Sequence, residues 1–191
     1  MGRDDIQLVL AYRKGDMQAL DELIRIYTRS VYSFVYTLVH KSVEAEDITQ
    51  ETFVKMWRRL SQYDTRYSFK AWLFTIARNT TIDYLRKQKI ITFSDLTNDD
   101  ESTHFEDTLL DAGPLPDELF DSKSDREKLN AAIEKLSIQH KTVVLLKHEQ
   151  ELTFEEIAKV LHIPMNTAKG QYYRAIQALK RNLNGAVDQR M

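Results

Sequence analysis

The stretch LTFEEIAKVLHIPMNTAKGQYYRAIQALKRNL, residues 152–183, decides the fold because it holds two helical patterns joined by a short turn. Thr153 and Glu156 have the T-x-x-E spacing of a capping box, which opens a helix. Pro164 cannot lie inside a helix, and Asn166 belongs to a residue type favoured at the N-cap of the helix that follows. The stretch therefore predicts a helix-turn-helix pair.

The second helix of this pair has an apolar face and a polar face. Residues three or four apart predict its buried stripe: Ala168, Tyr172, Ala175, Ile176, Leu179 and Leu183. The opposite face carries long donors, an amide and a glycine: Gly170, Arg174, Gln177 and Arg181, flanked by Lys169, Tyr173 and Lys180. Such a face suits the major groove of DNA, where Arg and Gln read bases and Lys contacts phosphates. The solvated face of an ordinary helical hairpin remains the alternative.

Composition excludes several classes of protein. The chain of 191 residues has no cysteine, so disulfides and thiolate metal sites are excluded. No apolar run approaches the roughly 18 residues of a membrane span, and the first ten residues lack the apolar core of a signal peptide. We therefore expect a cytoplasmic protein.

The net charge of −2 conceals an uneven distribution of charge. Residues 1–90 hold 15 basic and 11 acidic side chains, residues 91–124 hold 1 and 10, and residues 125–191 hold 11 and 8. High charge without apolar periodicity is typical of a flexible linker. The distribution predicts a domain over 1–90, an acidic linker over 91–124 and a second domain over 125–185.

Helical periodicity predicts four helices in the first domain. They cover residues 4–14, residues 16–40 with Asp16 as N-cap, a third helix capped by Ser42 and a fourth capped by Ser68. The apolar face of the second helix is too wide for a surface helix, so it is expected at the centre of a bundle. After the linker, Ser124 with Glu127 and then Ser137 are expected to cap two further helices. No strand pattern or repeat is present, so the fold class is all-α.

Two surfaces of the first domain remain unexplained by packing. Opposite its core stripe, the third helix carries Asp47, Gln50, Val54 and Trp57. An exposed Trp and Val favour a partner-binding face, although Trp57 closing the edge of the bundle is an equally good interpretation. The loop 61–67 places two tyrosines beside a basic fourth helix, the composition needed to bind single-stranded DNA. A solvated basic face is the alternative there.

Three runs, EAEDITQETFVKMWRRL (44–60), FKAWLFTIARNTTIDYLRKQ (69–88) and the closing run 152–183, resemble in order and spacing the bacterial extracytoplasmic-function (ECF) RNA polymerase sigma factors of the sigma-70 family. The resemblance implies two small helical domains, a sigma region 2 bundle and a sigma region 4 helix-turn-helix, joined by the linker. It implies an alternative sigma factor that binds core polymerase and directs promoter-specific initiation in a stress or envelope response. No catalysis, cofactor, metal or small-molecule substrate is expected.

The resemblance also assigns residues to three contacts. Core polymerase would bind Asp47, Gln50, Glu51, Val54 and Trp57. Single-stranded minus-ten DNA would bind Tyr63, Asp64, Tyr67, Arg78, Asn79, Asp83 and Arg86, with residues 62–67 and Asn79 forming a pocket for a flipped base. Double-stranded minus-thirty-five DNA would bind Asn166, Thr167, Lys169, Gly170, Gln171, Tyr173, Arg174 and Gln177.

The resemblance further implies that an anti-sigma factor, in some members anchored in a membrane, covers both domains. The acidic linker would thread the active-site cleft and RNA exit path of the polymerase as a nucleic-acid mimic. The chain departs from the common family pattern, which has Gly at His162 and Val, Ser and Arg at Ala168, Gly170 and Gln171. These departures leave the preferred minus-thirty-five sequence open.

Two other functions compete with this interpretation. A promoter-binding repressor or activator would carry a sensing or dimerising domain over 1–90, which the aromatic loop and basic helix do not suggest. A nuclease would need catalytic groups, yet the five histidines lack metal-ligand spacing. The acidic run 99–101 could bind a cation, although a solvated linker is the better interpretation. We expect that the chain is not an enzyme.

Overall fold

The structure, a computed structural model, describes residues 4–92 and 123–185. The first part contains α1 (Asp5–Arg13), α2 (Met17–Val39), α3 (Ser42–Arg59), a 3-10 turn (Leu60–Gln62) and α4 (Phe69–Thr92). The second part contains α5 (Lys123–Glu134), α6 (Ile138–His148), α7 (Phe154–Leu161) and α8 (Met165–Gly185). Within these two ranges there is no strand, and the all-α prediction is confirmed. The predicted linker 91–124 lies almost entirely outside the described residues.

Side-chain caps begin several helices where the sequence predicts them. The Asp16 carboxylate accepts a hydrogen bond from the Gln18 backbone N–H (3.0 Å), and Gly15, with φ of 98°, lets the chain turn between α1 and α2. The Ser68 hydroxyl accepts from Ala71 (3.2 Å), and the Ser137 hydroxyl accepts from His140 (3.3 Å). These caps fix the starting points of α2, α4 and α6.

Three predicted helix starts differ from the structure. The Ala168 N–H donates to the Pro164 carbonyl, so α8 begins at Met165 and Asn166 lies in its first turn; the prediction of Asn166 as N-cap is wrong. Proline is tolerated here because it lies just before the helix, where its missing N–H interrupts no helical hydrogen bond. At α3 the N-cap is Lys41, one residue before Ser42, with no side-chain cap. The helix α5 begins at Lys123, one residue before the predicted cap, whose side chain lies outside the described residues.

The second helix lies at the centre of the bundle, as its wide apolar face predicts. It packs against α1, α3, α4 and α6. Its buried residues are Ala19, Leu20, Leu23, Tyr27, Val31, Phe34, Val35 and Leu38. The Phe34 ring meets the Phe74 ring of α4 edge to face, with centroids 5.3 Å apart. This packing sets α3 and α4 side by side and leaves their outer faces to solvent.

The helices α6, α7 and α8 form a second group. Leu146, Ile157 and Ile176, one from each helix, are fully buried there, and α5 packs on α8 through a small cluster of Ala132, Leu136 and Leu179. The two groups meet, because α7 packs on α4 and α6 packs on α2. One continuous buried cluster therefore spans both parts of the chain. In the described part of the chain, we find no helix with the length and apolar character of a membrane span.

Candidate polymerase and nucleic-acid interfaces

The outer face of α3, formed by Val43, Asp47, Gln50, Val54 and Trp57, is exposed along its whole length. Trp57 keeps 49% of its surface exposed, whereas its neighbour Met56 is fully buried in the core. The structure thus places the predicted polymerase-binding residues on one side of one helix. Val43 extends this face by one turn; it was missed in the sequence although it lies four residues before Asp47. Glu51, also predicted here, is exposed and pairs with Lys55 at 2.8 Å.

The aromatic loop, residues 61–67, is built around a buried tyrosine. Tyr63 is only 3% exposed and packs against Trp72 and Phe69, with ring centroids 4.8 and 5.5 Å away. Its hydroxyl donates to the Tyr67 carbonyl, and burial, together with the charges of Asp5 and Asp64, raises its pKa to about 12. The resemblance assigned both tyrosines of this loop, Tyr63 and Tyr67, to minus-ten DNA. The structure instead makes Tyr63 a support, and leaves Tyr67, 52% exposed, as the accessible ring.

Two arginines stabilise the aromatic loop. One contacts its backbone carbonyls, and the other pairs with its acidic side chain. The Arg13 guanidinium of α1 donates to the carbonyls of Leu60 and Tyr63, which ties the loop to the start of the chain. The Arg66 guanidinium donates to both Asp64 oxygens at 2.6 to 3.0 Å, and these hydrogen bonds hold the pKa of Asp64 below its usual range. Asp64 is therefore an oriented carboxylate. Arg66 was missed in the sequence, where only its D-x-R spacing could have indicated it.

A cleft of about 650 Å³ opens between the aromatic loop, α4 and α7. The loop and α4 contribute Gln62, Tyr63, Asp64, Arg66, Tyr67, Ser68, Ala71, Trp72 and Thr75. The helix-turn-helix contributes Thr153, Glu155, Glu156, Lys159 and His162. All of the predicted base-pocket residues 62–67 except Thr65 therefore line this cleft. Asn79 does not line this cleft; it accepts a hydrogen bond from Arg78 (3.0 Å) farther along α4.

A smaller basic depression of about 290 Å³ lies between α3 and α4. Its lining includes Asp83 and Arg86, two predicted minus-ten residues, together with Lys55, Lys87 and Glu51. The Lys55 ammonium donates to the Thr80 hydroxyl (3.2 Å), which bridges the two helices. Burial, with the nearby charge of Arg86, lowers the pKa of Arg78. The depression lies between α4 and the side of α3 that is predicted to bind polymerase.

The helix α8 presents its polar face to solvent as its sequence predicts. Ala168 and Tyr172 are buried, and the predicted reading residues Asn166, Thr167, Arg174 and Gln177 are exposed. The other four, Lys169, Gly170, Gln171 and Tyr173, are partly exposed. The Arg174 Nε donates to the Gly170 carbonyl (3.2 Å), which lays the guanidinium along the helix. The eight predicted residues thus form a continuous surface on α8, in the helical turns that follow the His162–Pro164 turn.

The turn before α8 and the start of α6 complete this surface. His162, where the family pattern has Gly, adopts the left-handed conformation with φ of 56°, which histidine tolerates better than most residues. Its N–H donates to the Lys159 carbonyl and closes α7. His140 of α6 lies close enough to Arg174 for that charge, together with burial as the larger cause, to lower its pKa. Sequence reasoning gave no role to His140.

A capping box begins α7 as predicted. The Thr153 hydroxyl accepts from the Glu156 N–H (3.3 Å), and the Glu156 carboxylate accepts from the Thr153 N–H (2.8 Å). Burial alone would raise the pKa of Glu156, but the hydrogen bonds of Thr153 and of the Ser68 side chain hold it below its usual range.

Among the residues that the structure describes, no group of three His, Asp or Glu side chains could hold a metal ion.

Two family models match this chain. Residues 23–90 match Sigma-70 region 2, and residues 126–179 match Sigma-70, region 4. The two matches cover most of the described helices and leave the acidic segment between them.

Several curated proteins are similar along nearly their whole length. The ECF RNA polymerase sigma factor SigW of Bacillus subtilis is 32% identical over 173 residues, which are 90% of this chain and 92% of the relative. The ECF RNA polymerase sigma-E factor of Salmonella typhimurium is 31% identical over 180 residues, 92% of each chain. Among solved structures, the sigma factor RpoE in complex with the anti-sigma factor NepR from Bartonella quintana shares the fold, with a TM-score of 0.64 at 23% identity over 86% of this chain and 96% of that chain.

Proposed function

The chain belongs to the ECF RNA polymerase sigma factors, and on this premise we propose which of its surfaces performs each step of initiation. It is an alternative sigma factor, which binds core polymerase and directs promoter-specific transcription initiation, and it is not an enzyme. We assign core binding and minus-ten recognition to residues 1–90 and minus-thirty-five recognition to residues 125–185. The segment 91–124 is the connector.

Core polymerase binds the outer face of α3. Asp47, Gln50 and Glu51 supply polar contacts, and Val54 and Trp57 supply apolar surface. A half-exposed tryptophan on a rigid helix is the residue type that most often dominates binding energy at protein interfaces. No other part of the described chain covers this surface, so no rearrangement of α3 precedes docking.

The aromatic loop captures a base of the minus-ten element. Extruding a base from the stack costs a few kcal/mol, so a pocket that holds the base lowers the free energy of melting. Tyr67 offers a ring for stacking, and the oriented Asp64 carboxylate can accept hydrogen bonds from a base amino group. Arg78, Asp83 and Arg86 line the path of the strand along α4, with Asn79 as a contact outside the cleft.

The polar face of α8 reads the minus-thirty-five element in the major groove. Arg174 and Gln177 are placed for base edges, and Lys169 is placed for phosphates. Gly170 has no side chain, and the space beside it is open: an added Cβ would meet only the Arg174 Nη2, at 3.5 Å. The backbone of α8 can therefore approach the groove closely at this residue.

Regulation and location follow from the same family. We assign the protein to the cytoplasm, with an anti-sigma factor as its regulator, because a solved structure of similar fold contains one. A membrane-anchored regulator and a role in an envelope or stress response belong to this proposal. The acidic connector, with ten acids and one base, would occupy a basic channel of the polymerase until RNA displaces it.

The observation that carries the proposal is the exposure of Trp57 and Val54 on a helix whose other face is the core. The experiment combines the chain with bacterial core polymerase and measures salt-dependent binding and run-off transcription from a promoter library. Trp57→Ala should weaken core binding at least about tenfold, the scale of an interface hot spot. The matched control is Tyr36→Ala, an exposed aromatic of α2, which should leave binding unchanged. Duplex DNA binding without core binding would favour the repressor or activator instead.

A further inference from the structure

The helix α7 lies over the aromatic loop. The Lys159 ammonium of α7 lies 5.2 Å from the centroid of the Tyr67 ring, the ring that the loop leaves accessible. Glu156 of α7 interacts with the Ser68 side chain, immediately after the loop. The surface proposed to hold minus-ten DNA is therefore already in contact with another part of the same chain.

A second contact holds the two groups of helices together, away from every proposed DNA-binding residue. The Lys141 ammonium of α6 lies 2.9 Å from the His40 Nε2 at the end of α2, and Lys141 is only 6% exposed. On the other side of the ring, the Glu134 carboxylate of α5 lies 3.9 Å from the His40 Nδ1. With the apolar packing of α7 on α4, these contacts define a closed form of the chain.

We propose that α7 and the minus-ten strand compete for the aromatic loop, so that the closed form occupies its own melting surface. The inference rests on the proposed role of that loop and adds a competing occupant. A single strand would have to pass Tyr67 and Ser68, where Lys159 and Glu156 lie. Glu155 and Glu156 also line the cleft, and their carboxylates repel a phosphate backbone.

The closed form does not cover the outer face of α3. Val54 and Trp57 remain exposed while α7 contacts the loop. Core polymerase can therefore dock on the closed chain, whereas the minus-ten strand enters only after α7 has left α4. The competition thus separates polymerase binding from DNA melting within one chain.

The test locks the closed form at the contact that is remote from DNA. Because the chain has no cysteine, His40→Cys with Glu134→Cys introduces one exposed pair, which a short bismaleimide with a disulfide in its spacer can link. The readout is the affinity of the chain without polymerase for a labelled single strand carrying the minus-ten sequence selected by run-off transcription. The linked protein should bind this strand at least about tenfold more weakly than the same sample after reductant has cleaved the spacer.

Two controls distinguish the competition from other effects. The control pair is Lys41→Cys with Glu44→Cys, at two residues whose Nζ and Oε1 atoms lie 3.2 Å apart in the unmodified chain. Linking this pair joins residues within one helical group and should leave strand binding unchanged. Equal affinities of the linked and cleaved samples would overturn the competition while leaving the proposed function intact. If neither the cleaved sample nor its complex with core polymerase binds the strand, the proposed role of the loop is overturned, and the competition with it.

A single substitution tests the competition independently, through the direction in which the affinity for the single strand changes. Removing a positive charge ordinarily weakens binding to nucleic acid. Lys159→Ala removes a contact of the closed form, so the competition predicts stronger binding of the single strand by the unlinked chain. A fall in affinity would contradict the competition and make Lys159 a phosphate contact.

Discussion

The indole Nε1 of Trp57 donates a hydrogen bond to the Tyr12 hydroxyl over 2.9 Å, which joins the outer face of α3 to α1. Tyr12 is partly buried against the core, so it is a firm anchor for an exposed ring. A side chain held in its bound orientation before docking loses less conformational freedom when it binds. We therefore expect the first helix to contribute to polymerase binding without being part of the contact surface that the sequence predicts.

Tyr12→Phe should weaken the binding of core polymerase about two- to tenfold, since a neutral hydrogen bond contributes about 0.5–1.5 kcal/mol. The measurement is a titration of core polymerase with the variant, compared with Tyr36→Phe as control. Trp57→Phe should remove the same hydrogen bond, so Tyr12→Phe should cost little more in that background. Additive losses would show that Tyr12 acts independently of Trp57.

Gly170→Ala should raise the stability of the protein and at the same time weaken its binding to duplex DNA. Alanine stabilises a helix interior by about 1 kcal/mol relative to glycine, and its Cβ would make only an ordinary contact with Arg174. We therefore expect a higher free energy of unfolding in urea, together with weaker binding to minus-thirty-five duplex DNA. Core binding should not change and serves as the control. Unchanged duplex binding would mean that the α8 backbone does not approach the groove at this residue.

Glu156→Gln should destabilise the protein in a pH-dependent way. Because the folded-state pKa of Glu156 lies below its ordinary value, its contribution is full above the unfolded pKa of about 4.3 and is lost as the pH falls through the folded pKa. Gln can still complete a capping box, so the loss reflects the missing charge near the helix N-terminus, about 0.3–1 kcal/mol at neutral pH, and should be smaller in acid. Urea unfolding at both pH values checks this. The control Glu155→Gln removes an exposed carboxylate that pairs with Lys159 and takes no part in the capping box, so its effect on stability should be smaller at both pH values.

Arg174→Gln should raise the pKa of His140. The charge of Arg174 disfavours the imidazolium, so its removal should move the pKa upward. The value should remain below that of a free histidine, because burial is the larger cause of the shift. An NMR titration of the imidazole signals measures this, with the signal of His40 as an internal control. An unchanged His140 would place the two side chains farther apart in solution.

Local periodicity was sufficient to predict the helices and the side-chain caps at Asp16, Ser68, Ser137 and Thr153, because these depend on neighbours within four residues. It also identified the exposed faces of α3 and α8. It could not predict the burial of Tyr63, which depends on aromatic packing with Trp72, nor the Arg13 contact with the Leu60 carbonyl, 47 residues away. An amphipathic pattern indicates that one face of a helix is buried, but not which helix covers it.

The buried cluster that runs through both groups of helices has a thermodynamic consequence for the opened chain. When α7 leaves α4, apolar side chains on both helices meet water, and their hydration opposes the separation. An opened monomer alone in solution is thus a high-energy species, exposed to aggregation and proteolysis. We therefore expect the opened conformation to be a minor species of the free chain, and to be more populated within a larger assembly whose surfaces cover the exposed apolar side chains.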